Sequence, residues 1–147
     1  MTDGTGGEQG DDPIRVAFVC VRNAGRSQMA TAFAERERDR RGLDVDIVTG
    51  GTRPADRVHG VVVTAMDEMG FDLAGRTPRE ITTEELRSCE VVATMGCSTL
   101  DIEGAESAVD VRDWALDYPG EADIEAVRAI RDEVERRVVA LFDEVDG

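Results

Sequence analysis

The sequence predicts an α/β sandwich in which helices pack against a parallel sheet, and three observations carry that. Short apolar runs rich in Val and Ile alternate with segments of helical period. The first run stops on a cysteine and passes through a short polar loop into a helix. From about Ile124, apolar residues recur at Val127, Ile130, Val134, Val138, Leu141 and Val145. Those gaps of three and four put one apolar face on a long final helix.

The elements follow in order. "IRVAFVC", Ile14 to Cys20, reads as a largely buried first strand. From Ser27 to about Arg41, Met29, Ala30, Phe33 and Ala34 make an apolar helical stripe. The solvated "ERERDRR" then runs to Gly42, which ends the helix. "VDIVTG", Val45 to Gly50, is a second strand, and "HGVVVTAMDEMG", His59 to Gly70, suits a helix closed by glycine. Thr82 and Glu85 offer a capping box for a short helix. "EVVATMG", Glu90 to Gly96, is a third strand, and "SAVDVRDW" supplies a short fourth.

A chain of 147 residues is the size of one domain with a real core. Residues 1–12, "MTDGTGGEQGDD", lack apolar periodicity and are expected to form a disordered acidic, glycine-rich tail. Residues 13–147 are then a single catalytic domain. The start lacks the basic and apolar regions of a signal peptide. No window reaches the roughly 18 apolar residues of a membrane span. A soluble, cytoplasmic protein is the expectation.

The formal net charge is -15, and all 17 basic residues are Arg. Such a surface repels nucleic acid and anionic membranes. The acidity is spread along the chain, which points to solvation in high salt. Molar salt shrinks the Debye length to roughly 3 Å and screens the self-repulsion. We therefore expect a halophile's protein; full folding at low ionic strength would count against that. Three cysteines, Cys20, Cys89 and Cys97, are an odd number in a reducing compartment, so no disulfide framework is expected. No CxxC occurs, and the single His59 belongs to no ligand cluster, so no metal site is expected.

The loop after the first strand concentrates the chemistry. Sites in such sheets collect at the carboxyl ends of strands, where Cys20 sits. The amides of Val21, Arg22, Asn23, Ala24 and Gly25 can turn inward as an anion-binding nest. The helix amino terminus adds partial positive charge. Arg26 supplies a planar fork for a tetrahedral oxyanion. Ser27 can cap the helix or donate a hydrogen bond to the cysteine sulfur. Together these favour a thiolate that attacks the central atom of a phosphate-like anion. The bare Cys-x5-Arg spacing is a weak signal in a chain this rich in arginine. Its setting, with a strand before and Ser and a helix after, is a strong one.

At "CVRNAGRSQMA" the sequence resembles the low-molecular-weight protein tyrosine phosphatase superfamily, closest to its thiol-dependent arsenate reductases. "GGTRPADRVH", "GFDLAGRTPREIT", "VVATMGC" and "DWALDYPG" extend the resemblance over nearly all of the chain after the tail. It implies a three-layer α/β sandwich with a four-stranded parallel sheet. It implies Cys20 as nucleophile, Arg26 as the oxyanion-binding arginine, Ser27 as the thiolate-stabilising hydroxyl and Asn23 as the residue that orders the loop. The family usually carries an Asp just before the proline of its later loop as general acid. Here Tyr118 precedes Pro119 and Asp117 lies one position earlier. Asp117 is the acid candidate, with Asp113 a weaker substitute. Disulfide-relay reductases carry further cysteines after the third strand, where this chain has Cys97 alone. Cys97 follows that strand and so shares the sheet edge of Cys20, which makes it the candidate resolving thiol. Cys89 precedes the strand; about six residues of strand span roughly 20 Å, so Cys89 belongs near the opposite edge as a structural residue.

Two enzymatic readings begin alike, with Cys20 attacking the central atom. An ester's leaving group needs a proton, for which a general acid is worth about 10²–10⁴-fold. Arsenate expels hydroxide or water, and a second thiol must then attack Cys20. The irregular acid loop and Cys97 favour arsenate reduction, with a low-molecular-weight thiol or thioredoxin-like protein as external reductant and no bound cofactor. Phosphotyrosine hydrolysis is the alternative, with Trp114 and Tyr118 as a possible aromatic wall; Trp114 is as readily core. A non-enzymatic oxyanion or redox sensor is a third reading, unsupported by any added domain. His59 reads as a surface or capping residue.

Overall fold

The computed structural model describes residues 14–95, 110–114, 116 and 123–146. The expected tail, Cys97, Asp117 and Tyr118 lie outside the described residues.

Strand β1, Ile14–Cys20, is one of the two inner strands of the sheet. Helix α1, Arg26–Arg41, leads to β2, Val45–Gly51. Helix α2, Gly60–Asp67, is followed by the short α3, Thr83–Arg87. Strands β3, Val91–Met95, and β4, Asp110–Asp113, precede the long α4, Ile124–Asp146. The four strands lie in the order β2-β1-β3-β4, and every pair is parallel. This is the α/β sandwich with a four-stranded parallel sheet that the sequence predicts. Among the described residues no helix is long and apolar enough to cross a membrane.

The core lies on both faces of β1. Val16 and Phe18 point into a cluster with α1, α2 and α4, while Ala17 and Val19 pack with Ile81, Leu86, Cys89 and Val92. The α4 stripe is buried at Val127, Ile130, Val134, Val138 and Leu141, with Phe142 added and Val145 partly buried. Trp114 is core: it is buried, and its ring tilts against Phe18 at 5.9 Å between centroids. The capping box at α3 is complete, with Thr82 Oγ1 accepting from Glu85 N–H and Glu85 Oε1 accepting from Thr82 N–H, both at 3.1 Å.

Some boundaries differ from the sequence reading. Helix α1 begins at Arg26, one residue early, and β2 extends to Gly51. Helix α2 ends at Asp67; His59 is its N-cap residue, and the chain turns out through Gly70 at φ 88°. That left-handed turn needs glycine, but it lies three residues beyond the helix proper.

Arginine and carboxylate pairs join the helices on one face of the sheet. Glu37 of α1 is buried and accepts from Arg36, Arg40 and Arg41 at 3.1–3.3 Å. Arg36 and Arg41 continue to Glu135 and Asp143 of α4. Arg128 and Arg131 of α4 hold the carboxylate of Glu68, next to α2, and keep its pKa low, at about 2.

Candidate active site

The sheet delivers Cys20 to its carboxyl edge, where β1 ends opposite Gly51 of β2 and Met95 of β3. Residues 21–25 then turn back into α1. Their direction is set by a second segment, residues 52–59, which leaves the same edge after β2. Backbone N–H groups of Thr52, Arg53, Ala55 and His59 donate to the carbonyls of Cys20, Val21, Arg22 and Ala24 at 2.8–3.2 Å. A trans peptide points its C=O and N–H in opposite directions. Four carbonyls drawn to one side therefore turn the amides of Val21, Arg22, Asn23 and Gly25 to the other. The Asn23 amide shows the outcome: it donates to Cys20 Sγ at 3.1 Å. Four of the five amides expected for an anion nest are thus turned away from segment 52–59, an arrangement set by that segment rather than by the loop alone.

Gly51 is where that arrangement is tightest. A Cβ there would lie 2.5 Å from the Val21 carbonyl oxygen and 3.0 Å from Asn23 N. The loop closes directly over the end of β2 because that position has no side chain.

Asn23 anchors the loop. Its φ of 52° is left-handed, a region that asparagine tolerates better than most residues. Its side chain uses both amide hydrogens and its oxygen. Nδ2 donates to Ser27 Oγ at 2.7 Å and to Thr49 Oγ1 at 2.9 Å. Oδ1 accepts from Gln28 Nε2 at 3.1 Å and from Arg79 N–H at 3.0 Å. Gln28 Nε2 also lies 3.1 Å from the Asn23 carbonyl oxygen. With two acceptors facing Nε2, a flipped Gln28 amide would set oxygen against oxygen.

Ser27 resolves its two sequence options in favour of the sulfur. Gly25 is the N-cap of α1, and no side chain caps that end. Ser27 Oγ instead lies 2.9 Å from Cys20 Sγ, and both residues are buried. Oγ already accepts from Asn23, so its own hydrogen is available to the sulfur. A thiolate at Cys20 therefore receives two donors, Asn23 N–H and Ser27 O–H.

Arg26 is the first residue of α1 and is 6% exposed. Its Nη1 donates to the Leu116 carbonyl at 2.9 Å, tying the loop to the chain that follows β4. His59, the α2 N-cap residue, is held below the ordinary histidine range, chiefly by partial burial and then by the nearby Arg22 and Arg26.

Cys89 has the opposite surroundings. It lies just before β3, near the amino end of β1, where Val16 pairs with Val91. Its thiol donates to the Glu85 carbonyl at 3.2 Å, and burial pushes its pKa up to about 11. The structural role expected for it fits these surroundings.

The structure thus brings Cys20, Asn23, Arg26 and Ser27 to one sheet edge. Sequence reasoning missed Gln28, Thr49, the Arg79 amide and Gly51. The "TGG" at the end of β2 was the available signal for Gly51. The remainder depended on contacts between distant segments. Among the described residues no group of His, Cys, Asp and Glu could hold a metal ion.

A family model described as low molecular weight phosphotyrosine protein phosphatase matches residues 15–147. A protein of Halobacterium salinarum, provisionally named arsenate reductase, is 62% identical over 136 residues, covering 91% of this chain and 94% of that one. A protein of Synechocystis named glutaredoxin arsenate reductase is 33% identical over 130 residues, covering 87% of this chain and 95% of that one. Among solved structures, the YwlE arginine phosphatase superposes with a TM-score of 0.80 at 20% identity, covering 90% of this chain and 96% of that one, and shares the fold. The chain belongs to the low molecular weight phosphotyrosine protein phosphatase family.

Proposed function

We propose that the protein is an arsenate reductase in which Cys20 is the nucleophile. The observation that carries this is the sulfur at the end of β1. It has donors from Asn23 N–H at 3.1 Å and Ser27 at 2.9 Å, inside a loop whose carbonyls are drawn away. The 62% relative named as an arsenate reductase supports the choice of substrate. Its halophilic source also fits a chain of charge -15 acting in a salty cytoplasm.

The proposed steps are these. Arsenate enters the nest, with loop amides and Arg26 on its oxygens. The Cys20 thiolate attacks arsenic, a sulfur–arsenic bond forms, and an oxygen leaves as water once protonated. Asp117 is the proposed proton donor. A second thiolate then attacks Cys20 Sγ. A disulfide forms, the sulfur–arsenic bond breaks, and its electron pair reduces As(V) to As(III), which leaves as arsenite. Cys97 is the proposed in-chain source of that thiol. An external thiol reduces the disulfide, so electrons pass through sulfur alone and no bound cofactor or metal is required. A glutaredoxin-type protein is the reductant class in the name of the Synechocystis relative.

Phosphotyrosine hydrolysis is the second reading, supported by the family to which the chain belongs. The same nest would hold a phosphoryl group on Cys20, and water would release it.

Purified protein assayed in molar salt separates the two. Arsenite release that depends on added thiol supports the reductase. Hydrolysis of an aryl phosphate with no arsenite from arsenate contradicts it.

A further inference from the structure

We propose that Arg22, Arg53 and Arg57 form a docking rim for the small, carboxylate-bearing thiol that regenerates Cys20. This rests on the reductase reading and names the partner of that site.

The first observation is a contrast in arginine use. The chain carries 32 acidic residues against 17 arginines. Setting aside Arg26 at the site and Arg87 on α3, every arginine outside the rim has a carboxylate ion-pair partner. Arg22, Arg53 and Arg57 have none among the described residues, and all three are exposed.

The second is their place. Arg22 lies in the Cys20 loop, and Arg53 and Arg57 lie in the segment bonded to it. Arg53 N–H donates to the Val21 carbonyl at 2.8 Å and Ala55 N–H to the Arg22 carbonyl at 2.9 Å. Asp56 is the one acidic residue of segment 52–59, so the segment stays net positive. Three exposed arginines with no ion-pair partner among the described residues thus lie on the Cys20 loop and on the segment bonded to it, in a chain of net charge -15.

The third is access. Cys20 is only 2% exposed, so the attacking sulfur must be slender. A small thiol can insert its sulfur while its carboxylates stay outside on the guanidinium forks. High salt screens attraction at a distance and weakens exposed contacts, so what is left is the geometric match of guanidinium fork to carboxylate. Cys89 cannot substitute, being buried and bonded to Glu85 near the other end of the sheet.

The chemistry balances with two equivalents of this thiol. The first thiolate attacks the disulfide at Cys20, the old sulfur–sulfur bond breaks, and its electron pair goes to the departing thiolate. The second attacks the new mixed disulfide, releasing the oxidised small disulfide and the Cys20 thiolate. Two thiols lose two electrons and two protons, and the enzyme disulfide gains them.

The test compares wild type with R53Q/R57Q at one salt concentration, with glutathione, glutathione diethyl ester and 2-mercaptoethanol as reductants. These substitutions leave the oxyanion loop itself unchanged. The expected result is a KM for glutathione raised about fivefold to tenfold in the variant. The KM values for arsenate, the ester and 2-mercaptoethanol stay as in wild type. An unchanged glutathione KM, or an equal rise for the ester, overturns the rim. A loss confined to a glutaredoxin-type protein reductant also overturns it, in favour of protein docking. No arsenite from wild type with any thiol removes the reductase reading itself, and the rim with it.

Discussion

Two buried cysteines stand near opposite ends of the same parallel sheet, and their sulfurs face opposite chemistry. Cys20 is at the carboxyl edge, with the Asn23 amide and the Ser27 hydroxyl around it. Cys89 is at the other end, with the Glu85 carbonyl oxygen as its acceptor. Donors around sulfur favour negative charge, whereas an acceptor needs the S–H bond intact. Burial alone therefore does not separate a nucleophile from a packing residue, since both are almost fully covered. The difference is which end of the strand the residue occupies, and what backbone turns there.

The sharpest way to break the comparison is to exchange the sulfurs for oxygen. Cys20→Ser should lower arsenate turnover by about 10³-fold or more. Cys89→Ser should stay within about twofold of wild type in the same assay. Equal losses would remove the distinction.

The next test moves the loop and leaves its sulfur in place. Gly51→Ala puts a Cβ 2.5 Å from the Val21 carbonyl oxygen. A shift of about 1 Å in a reacting group costs about 10²-fold, so kcat/KM should fall by that order. Gly60→Ala, where a Cβ meets nothing within 4 Å, should leave kcat/KM unchanged.

Removing one donor is a smaller step. Ser27→Ala deletes the hydroxyl 2.9 Å from Cys20 Sγ. At about 1.5 kcal/mol for a bond to a charged group, turnover should fall about tenfold. Retention of full turnover would show that the hydroxyl does not act on the sulfur.

The smallest effect concerns the other cysteine and stability alone. The folded Cys89 pKa, about 11, lies above its ordinary value of 9.0, chiefly through burial. The folded state thus holds the proton more tightly than the unfolded state. That stabilisation is complete below pH 9 and is lost as pH rises towards 11. Denaturant midpoints should therefore fall more steeply across that window in wild type than in Cys89→Ala. Parallel curves for the two proteins would contradict the assignment.

Much of this was legible in the sequence because it rests on local chemistry. A strand ending on Cys20, with Arg26, Ser27 and a helix behind it, locates the loop from residues adjacent in the chain. The α4 stripe reads directly as a buried face, and the Thr82–Glu85 cap spans only one turn. What stayed hidden depends on contacts between distant segments. Thr49 reaches Asn23 from β2, and the Arg79 amide comes from still further along the chain. The inward turn of the loop amides is enforced by residues 52–59, which the sequence marks only through the family-like "GGTRPADRVH". Ser27 was ambiguous because a hydroxyl at a helix start serves equally well as a cap. Only the close approach of Cys20 decides it.

The most direct test is alkylation of the native protein by iodoacetamide, with and without arsenate, read by peptide mass spectrometry. Cys20 should be modified before Cys89 and be protected by arsenate, while Cys89 should react only after unfolding. Modification of native Cys89 ahead of Cys20, or no protection of Cys20 by arsenate, would contradict the assignment of Cys20 as the oxyanion-facing nucleophile.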